Sequence, residues 1–209
     1  MIRYAQFIVL LLVALLAGCS TTTRTMTSQS DGQPDRSMAR ACQQFIERQG
    51  GIADDPASQQ RVEGIVEQLL SPGRAPHVKV CILNCTALRA YAWSDGWVIV
   101  SKKLARTEDE QLLAAGIAHE LGHLLADEHL KMPDESRVNA LISDVADSDL
   151  DSEIAADRIG MLLLSSAGID PDAMQQLLAV LEDDENLSTT LRRGIGQRII
   201  KINQFRQSK

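Results

Sequence analysis

The chain has 209 residues, of which 44% are hydrophobic and 23% charged, so it is neither disordered nor fibrous. Its formal net charge is −7 and only 3% of its residues are aromatic, which argues against both a basic nucleic-acid surface and a base-stacking platform. Once an N-terminal signal is set aside, the remainder suits one domain with a real core and leaves little room for a second.

Arg3 precedes an apolar run from Phe7 to Ala17. The run is too short to span a bilayer, which takes about 20 residues, and it matches the apolar region of a secretory signal. It closes on Leu16-Ala17-Gly18-Cys19, which resembles the bacterial lipobox, with small residues before a cysteine that becomes a lipidated N-terminus. Residues 1–18 are therefore expected to be a removed lipoprotein signal peptide, and lipid on Cys19 to supply membrane attachment. Ser20 rather than Asp after that cysteine predicts delivery to the bacterial outer membrane, with the domain in the periplasm. Residues 19–34 are rich in Ser, Thr, Gln and Gly and read as a flexible tether ahead of a domain over 35–209. Cys42, Cys81 and Cys85 remain in a compartment that permits disulfides, and any one pair of them could bridge.

Pro34-Asp35 opens a predicted helix running to Gln49 and closed by Gly50-Gly51. Asp55-Pro56 supplies an N-cap and a first-turn proline for the next helix, whose Val62, Ile65, Val66, Leu69 and Leu70 fall at helical spacing. Val78, Val80 and Ile82 alternate along a strand from His77 to Leu83. Leu88–Trp93 and Trp97–Ser101 flank Ser94-Asp95-Gly96, a hairpin signal. Thr107 and Glu110 have the spacing of a capping box for a helix reaching about Ala126. Residues 127–150 are acidic, with Pro133 as a breaker. Three further helices are predicted, from about Ser148 to Ser166, from Asp170-Pro171 to about Leu181, and from about Thr189 to Phe205.

His119-Glu120-Leu121-Gly122-His123 carries the chemistry. Residues i and i+4 share a helix face, so both imidazoles point at one spot and can bind one zinc ion. Glu120 sits beside that spot as a proton acceptor for an activated water. Catalytic zinc needs a third protein ligand, and two residues compete for the role. Glu153 lies on a predicted second helix with Asp157 one turn on, so one carboxylate can bind metal while the other orients a histidine. His129 has the spacing of a metzincin's third histidine, but Ala126 stands where that motif has glycine, and no Ser-x-Met turn follows. The residues favour Glu153; His77 and His129 are not expected to bind metal.

Four stretches resemble the gluzincin metallopeptidase family that includes HtpX, BepA and the CAAX prenyl endopeptidases. Tyr91 to Val100 looks like the family's strand pair ahead of the zinc helix, and Glu110 to His123 like that helix. Glu153 to Gly160 matches E-x-x-A-D-x-x-G, and Ala167-Gly168-Ile169-Asp170-Pro171 matches A-G-Y-D-P. The resemblance implies an α+β, zincin-like fold, mostly helical, with a small β-sheet whose edge strand precedes the zinc-binding helix. It implies zinc held by His119, His123 and Glu153, Glu120 as base, and Asp157 behind a ligand. The family also carries Ser-Thr-His-Pro and an arginine near its C-terminal end. Here Thr190 replaces that histidine, and Arg198, with Arg193 second, is the candidate catalytic arginine.

The expected activity is a zinc-dependent endopeptidase acting on unfolded or misassembled envelope proteins. Trp97–Ser101 is expected to pair with extended substrate, and Trp93 and Trp97 either line the groove or pack in the core. The alternatives are a metal-stabilised assembly or interaction lipoprotein with little or no proteolysis, which the missing histidine keeps open, and a metal-free structural lipoprotein.

Overall fold

The computed structural model describes residues 36–70, 78–93, 96–126, 149–185 and 188–207. The signal peptide, Cys19, the tether, His77, His129 and most of the acidic stretch lie outside the described residues. Helices α1 (Arg36–Arg48) and α2 (Pro56–Leu69) lead into strands β1 (Lys79–Leu83), β2 (Ala90–Trp93) and β3 (Trp97–Ser101). A short helix α3 (Lys102–Ala105) follows, then α4 (Glu110–Ala126), α5 (Asp149–Ser166), α6 (Ala173–Glu182) and α7 (Thr189–Gln207). The fold is α+β and mostly helical with a small sheet, as the resemblance implies. No described helix is long and apolar enough to cross a membrane.

The helix ends follow from local chemistry. Gly50 and Gly51 both have positive φ, and a Cβ at Gly50 would sit 2.7 Å from the Asn84 carbonyl oxygen, so glycine is needed where α1 turns back towards the sheet. Asp55 caps α2 by accepting from the Ser58 N–H at 3.2 Å. At the start of α4 the cap is Asp109, not Thr107. The Asp109 carboxylate accepts from the Leu112 N–H at 3.0 Å, and Thr107 Oγ1 accepts from the Asp109 N–H at 3.3 Å. Aspartate is the better cap, and the threonine is left to shape the turn before it. After α5, Gly168 takes φ +73 and the Ile169 N–H reaches back to the Leu164 carbonyl at 2.9 Å, closing the helix with a left-handed residue. Asp170 and Pro171 then form a turn, so α6 begins at Ala173, later than predicted.

The strand order is β1-β3-β2, with β1 parallel and β2 antiparallel to β3. The strand that precedes α4 is therefore central, which corrects the expectation that it forms the edge. Its side chains suit that place: Val98, Ile99 and Val100 are all fully buried, so both faces of β3 are covered, while β1 and β2 take its two edges. The outer edge of β1 is also occupied. The Ala53 N–H donates to the Ile82 carbonyl, the Asn84 N–H to the Gly51 carbonyl, and Gln59 Nε2 to the Val80 carbonyl. That leaves β2 as the open edge among the described residues. The Ser101 N–H donates to the Arg89 carbonyl, so Arg89, Tyr91 and Trp93 turn their backbone groups towards β3 while Ala90 and Ala92 turn theirs outwards.

Two cores flank this sheet. On one face Ile82, Val98 and Val100 join α2, α4, α5 and α6, and α4 is buried nearly all round. On the other face Cys81, Leu83, Ile99 and Trp93 pack against Cys42, Phe45 and Ile46 of α1, with Tyr91 and Trp97 at the margin. Both tryptophans thus pack in this second core; Trp93 stacks at a tilt on Phe45 with 5.5 Å between ring centroids. None of Cys42, Cys81 and Cys85 is in a disulfide, and burial pushes the Cys81 thiol up to about 12.

Candidate metal centre

The helical turn of α4 brings His119 Nε2 and His123 Nε2 within 3.2 Å of each other. Helix α5 crosses them and adds Glu153, whose Oε2 lies 3.3 Å from His119 Nε2 and whose Oε1 lies 3.2 Å from His123 Nε2. The three residues form a group able to hold a metal ion, each offering one ligand atom. The close crossing depends on two glycines. A Cβ at Gly122 would sit 2.4 Å from the Ala156 carbonyl oxygen, and one at Gly160 would sit 3.1 Å from the backbone of Ala118. Neither glycine stands out from sequence as a site residue. The available signal is that glycine inside a helix costs about 1 kcal/mol against alanine, so its presence there calls for a packing reason.

Asp157, one turn after Glu153, is fully buried, and its Oδ1 lies 2.9 Å from His119 Nδ1. Arg198 reaches in from α7 and is only 8% exposed. Its Nε and Nη2 donate to Asp157 Oδ2 and Oδ1 at 2.8 and 2.6 Å, and its Nη1 lies 2.8 Å from Glu153 Oε2. Arg198 Nη2 also lies 3.3 Å from His119 Nδ1. The shorter contact, with an acceptor, decides the tautomer: Nδ1 keeps its proton for Asp157, and the Nε2 lone pair faces the centre. Arg193 is exposed on the same helix, and so is Thr190. Glu120, next to His119 on α4, is 8% exposed.

The centre gathers two carboxylates, Glu153 and Asp157, around two imidazoles and the Arg198 guanidinium. Burial opposes the charged form of Glu153, but the hydrogen bonds to His119 and His123 and the charge of Arg198 hold it well below the usual carboxylate range. Asp157 is likewise lowered: burial opposes, and Arg198 then His119 prevail. Burial and Arg198 push His119 down, yet Asp157 and Glu153 outweigh them and raise it to about 10. Two imidazole nitrogens and a carboxylate, with a carboxylate behind one imidazole, fit the donor set of a catalytic zinc site.

The family model for Peptidase family M48 matches residues 56–146 of the chain. The match supports an M48 metallopeptidase family and takes in α2, the sheet and the His119–His123 helix, stopping before α5. The roles of Glu153, Asp157 and Arg198 thus rest on geometry. No curated protein matches the chain.

Proposed function

We propose that this chain is a zinc metalloendopeptidase, lipid-anchored through Cys19 at the outer membrane, that works in the periplasm on unfolded or misassembled envelope proteins as part of protein quality control. The observation that carries the enzymatic reading is the convergence of His119 Nε2, His123 Nε2 and the Glu153 carboxylate, with Asp157 behind His119. These three residues would hold the zinc. Bound there, it supplies Lewis-acid polarisation of a scissile carbonyl and of water. Glu120 takes the proton from the attacking water and passes it to the leaving amine. The open edge of β2 offers the outward backbone groups of Ala90 and Ala92 to an extended peptide. A peptide bound through its backbone must be locally unfolded, which favours misfolded clients over any one sequence.

The full chain, purified in detergent, should bind one zinc and cleave unfolded casein. Glu120→Gln should keep the zinc and lose about 10²- to 10⁴-fold in rate, the range for removing a general base. A parent that binds zinc one-to-one yet cleaves no faster than Glu120→Gln would instead favour the assembly lipoprotein. The anchor has a separate check by membrane fractionation. Cys19→Ser should move the protein from the membrane to the soluble fraction, and unchanged fractionation counts against lipidation.

A further inference from the structure

A carboxylate beside a metal ion can bind through one oxygen or both, and the choice sets how many positions remain for water and substrate. In this centre the two oxygens of Glu153 are not equivalent. Each faces one imidazole, Oε1 at 3.2 Å from His123 Nε2 and Oε2 at 3.3 Å from His119 Nε2, but only Oε2 also meets a cation, Arg198 Nη1, at 2.8 Å. A charge-assisted bond of that length occupies a lone pair and draws electron density away from the centre. We propose that Arg198 is a positioning residue that restricts Glu153 to ligation through Oε1, keeping a coordination position open for chemistry. The inference rests on the proposed zinc site.

Arg198 is well built for this work. Asp157 grips it through two parallel bonds, from Nε and Nη2 at 2.8 and 2.6 Å, which fixes the plane of the guanidinium and so the direction of Nη1. The same Asp157 lies 2.9 Å from His119 Nδ1. One buried ion pair therefore sets two of the three donors: Asp157 orients the histidine on α4, and Arg198 orients the glutamate on α5. Arginine suits the position because it presents several donors in a fixed fork. Lysine, a single point charge, can serve one carboxylate well but not both in this plane. With its nitrogens directed at these two carboxylates, Arg198 acts through Glu153 rather than by touching substrate.

The test replaces zinc with cobalt, whose visible absorption is strong at four-coordinate sites and weak at higher coordination. Measured on the full chain, the parent should bind one cobalt with an intense visible band. Arg198→Met and Arg198→Lys should each still bind cobalt, with a clearly weaker band. Their zinc affinity should fall about 10- to 100-fold, the usual effect of losing a group behind a ligand. Variants with a parent-like spectrum and affinity overturn the proposal. If Arg198→Met does not fold, Arg198→Lys alone decides it, since the charge is kept and only the fork is lost. A parent that binds no cobalt, or a Glu153→Ala chain that binds it as tightly as the parent, overturns the metal site and this inference together. An altered band in the arginine variants, with the parent intact, separates the two.

Discussion

Gly122→Ala should destabilise the fold by about 2 kcal/mol or more, although alanine is the better helix former by about 1 kcal/mol. A Cβ at this position would lie 2.4, 2.9 and 3.0 Å from the carbonyl oxygen, Cα and carbonyl carbon of Ala156. These are backbone atoms of α5, so no rotamer change relieves them and the helix must move as a body. Overpacking of a tight core typically costs 1–3 kcal/mol, and a backbone clash belongs at or above the top of that range. The displaced residue adjoins Asp157, so the same shift loosens the 2.9 Å contact between Asp157 and His119. Urea unfolding should show a lower midpoint for Gly122→Ala, and a zinc competition assay should show weaker binding. Parent-like values in both would mean that α4 and α5 do not approach this closely.

Asp157→Ala should cost about 3–5 kcal/mol, because it removes the carboxylate that holds the buried Arg198 guanidinium through two bonds and leaves only the Glu153 contact to offset its charge. The two partners are 0% and 8% exposed, so water cannot take over. Asp157→Asn keeps the shape and isolates the charge through pH. The folded pKa values of Asp157 and Glu153 are depressed. Their contribution to stability is present above the unfolded carboxylate pKa, about 4, and is lost as pH falls through the folded values. His119 runs the other way in the metal-free chain. Its raised value, about 10, gives stability that is full below the unfolded imidazole pKa and disappears as pH rises through that value. Thermal unfolding of metal-free parent should thus weaken at both extremes. Asp157→Asn should be less stable at neutral pH and show a shallower acid decline, whereas an acid limb as steep as the parent's would remove Asp157 from the network.

The candidate metal donors are legible because their signals are local. The i, i+4 spacing of His119 and His123 needs only a helix, and Glu153 and Asp157 need only a second helix with the same repeat. The order of the sheet is not local. Asp95-Gly96 makes β2 and β3 neighbours but says nothing about which side of β3 receives β1. The unbroken apolar run Val98-Ile99-Val100 was the available sign of a central strand, against the alternation expected at an edge. At residues 107–110 two cap patterns overlap, and Asp109 prevails over Thr107 because its carboxylate meets the Leu112 N–H directly. Arg198 could be nominated but not placed. An arginine on a C-terminal helix carries no local mark of burial; its environment exists only once α7 docks on α5.

That docking fixes the order in which the centre can be made. Arg198 lies 41 residues beyond Asp157 and 79 beyond His119. In a chain that folds after export, as the proposed location requires, α4 and α5 can pair while α7 is still undocked. During that interval Asp157 and Glu153 lack their permanent cation, and burying them is unfavourable. A chain clipped ahead of α7 is in the same condition. Maturation of the centre is thereby tied to docking of the last helix, and loss of the C-terminus is a means of silencing it without touching a single candidate metal donor.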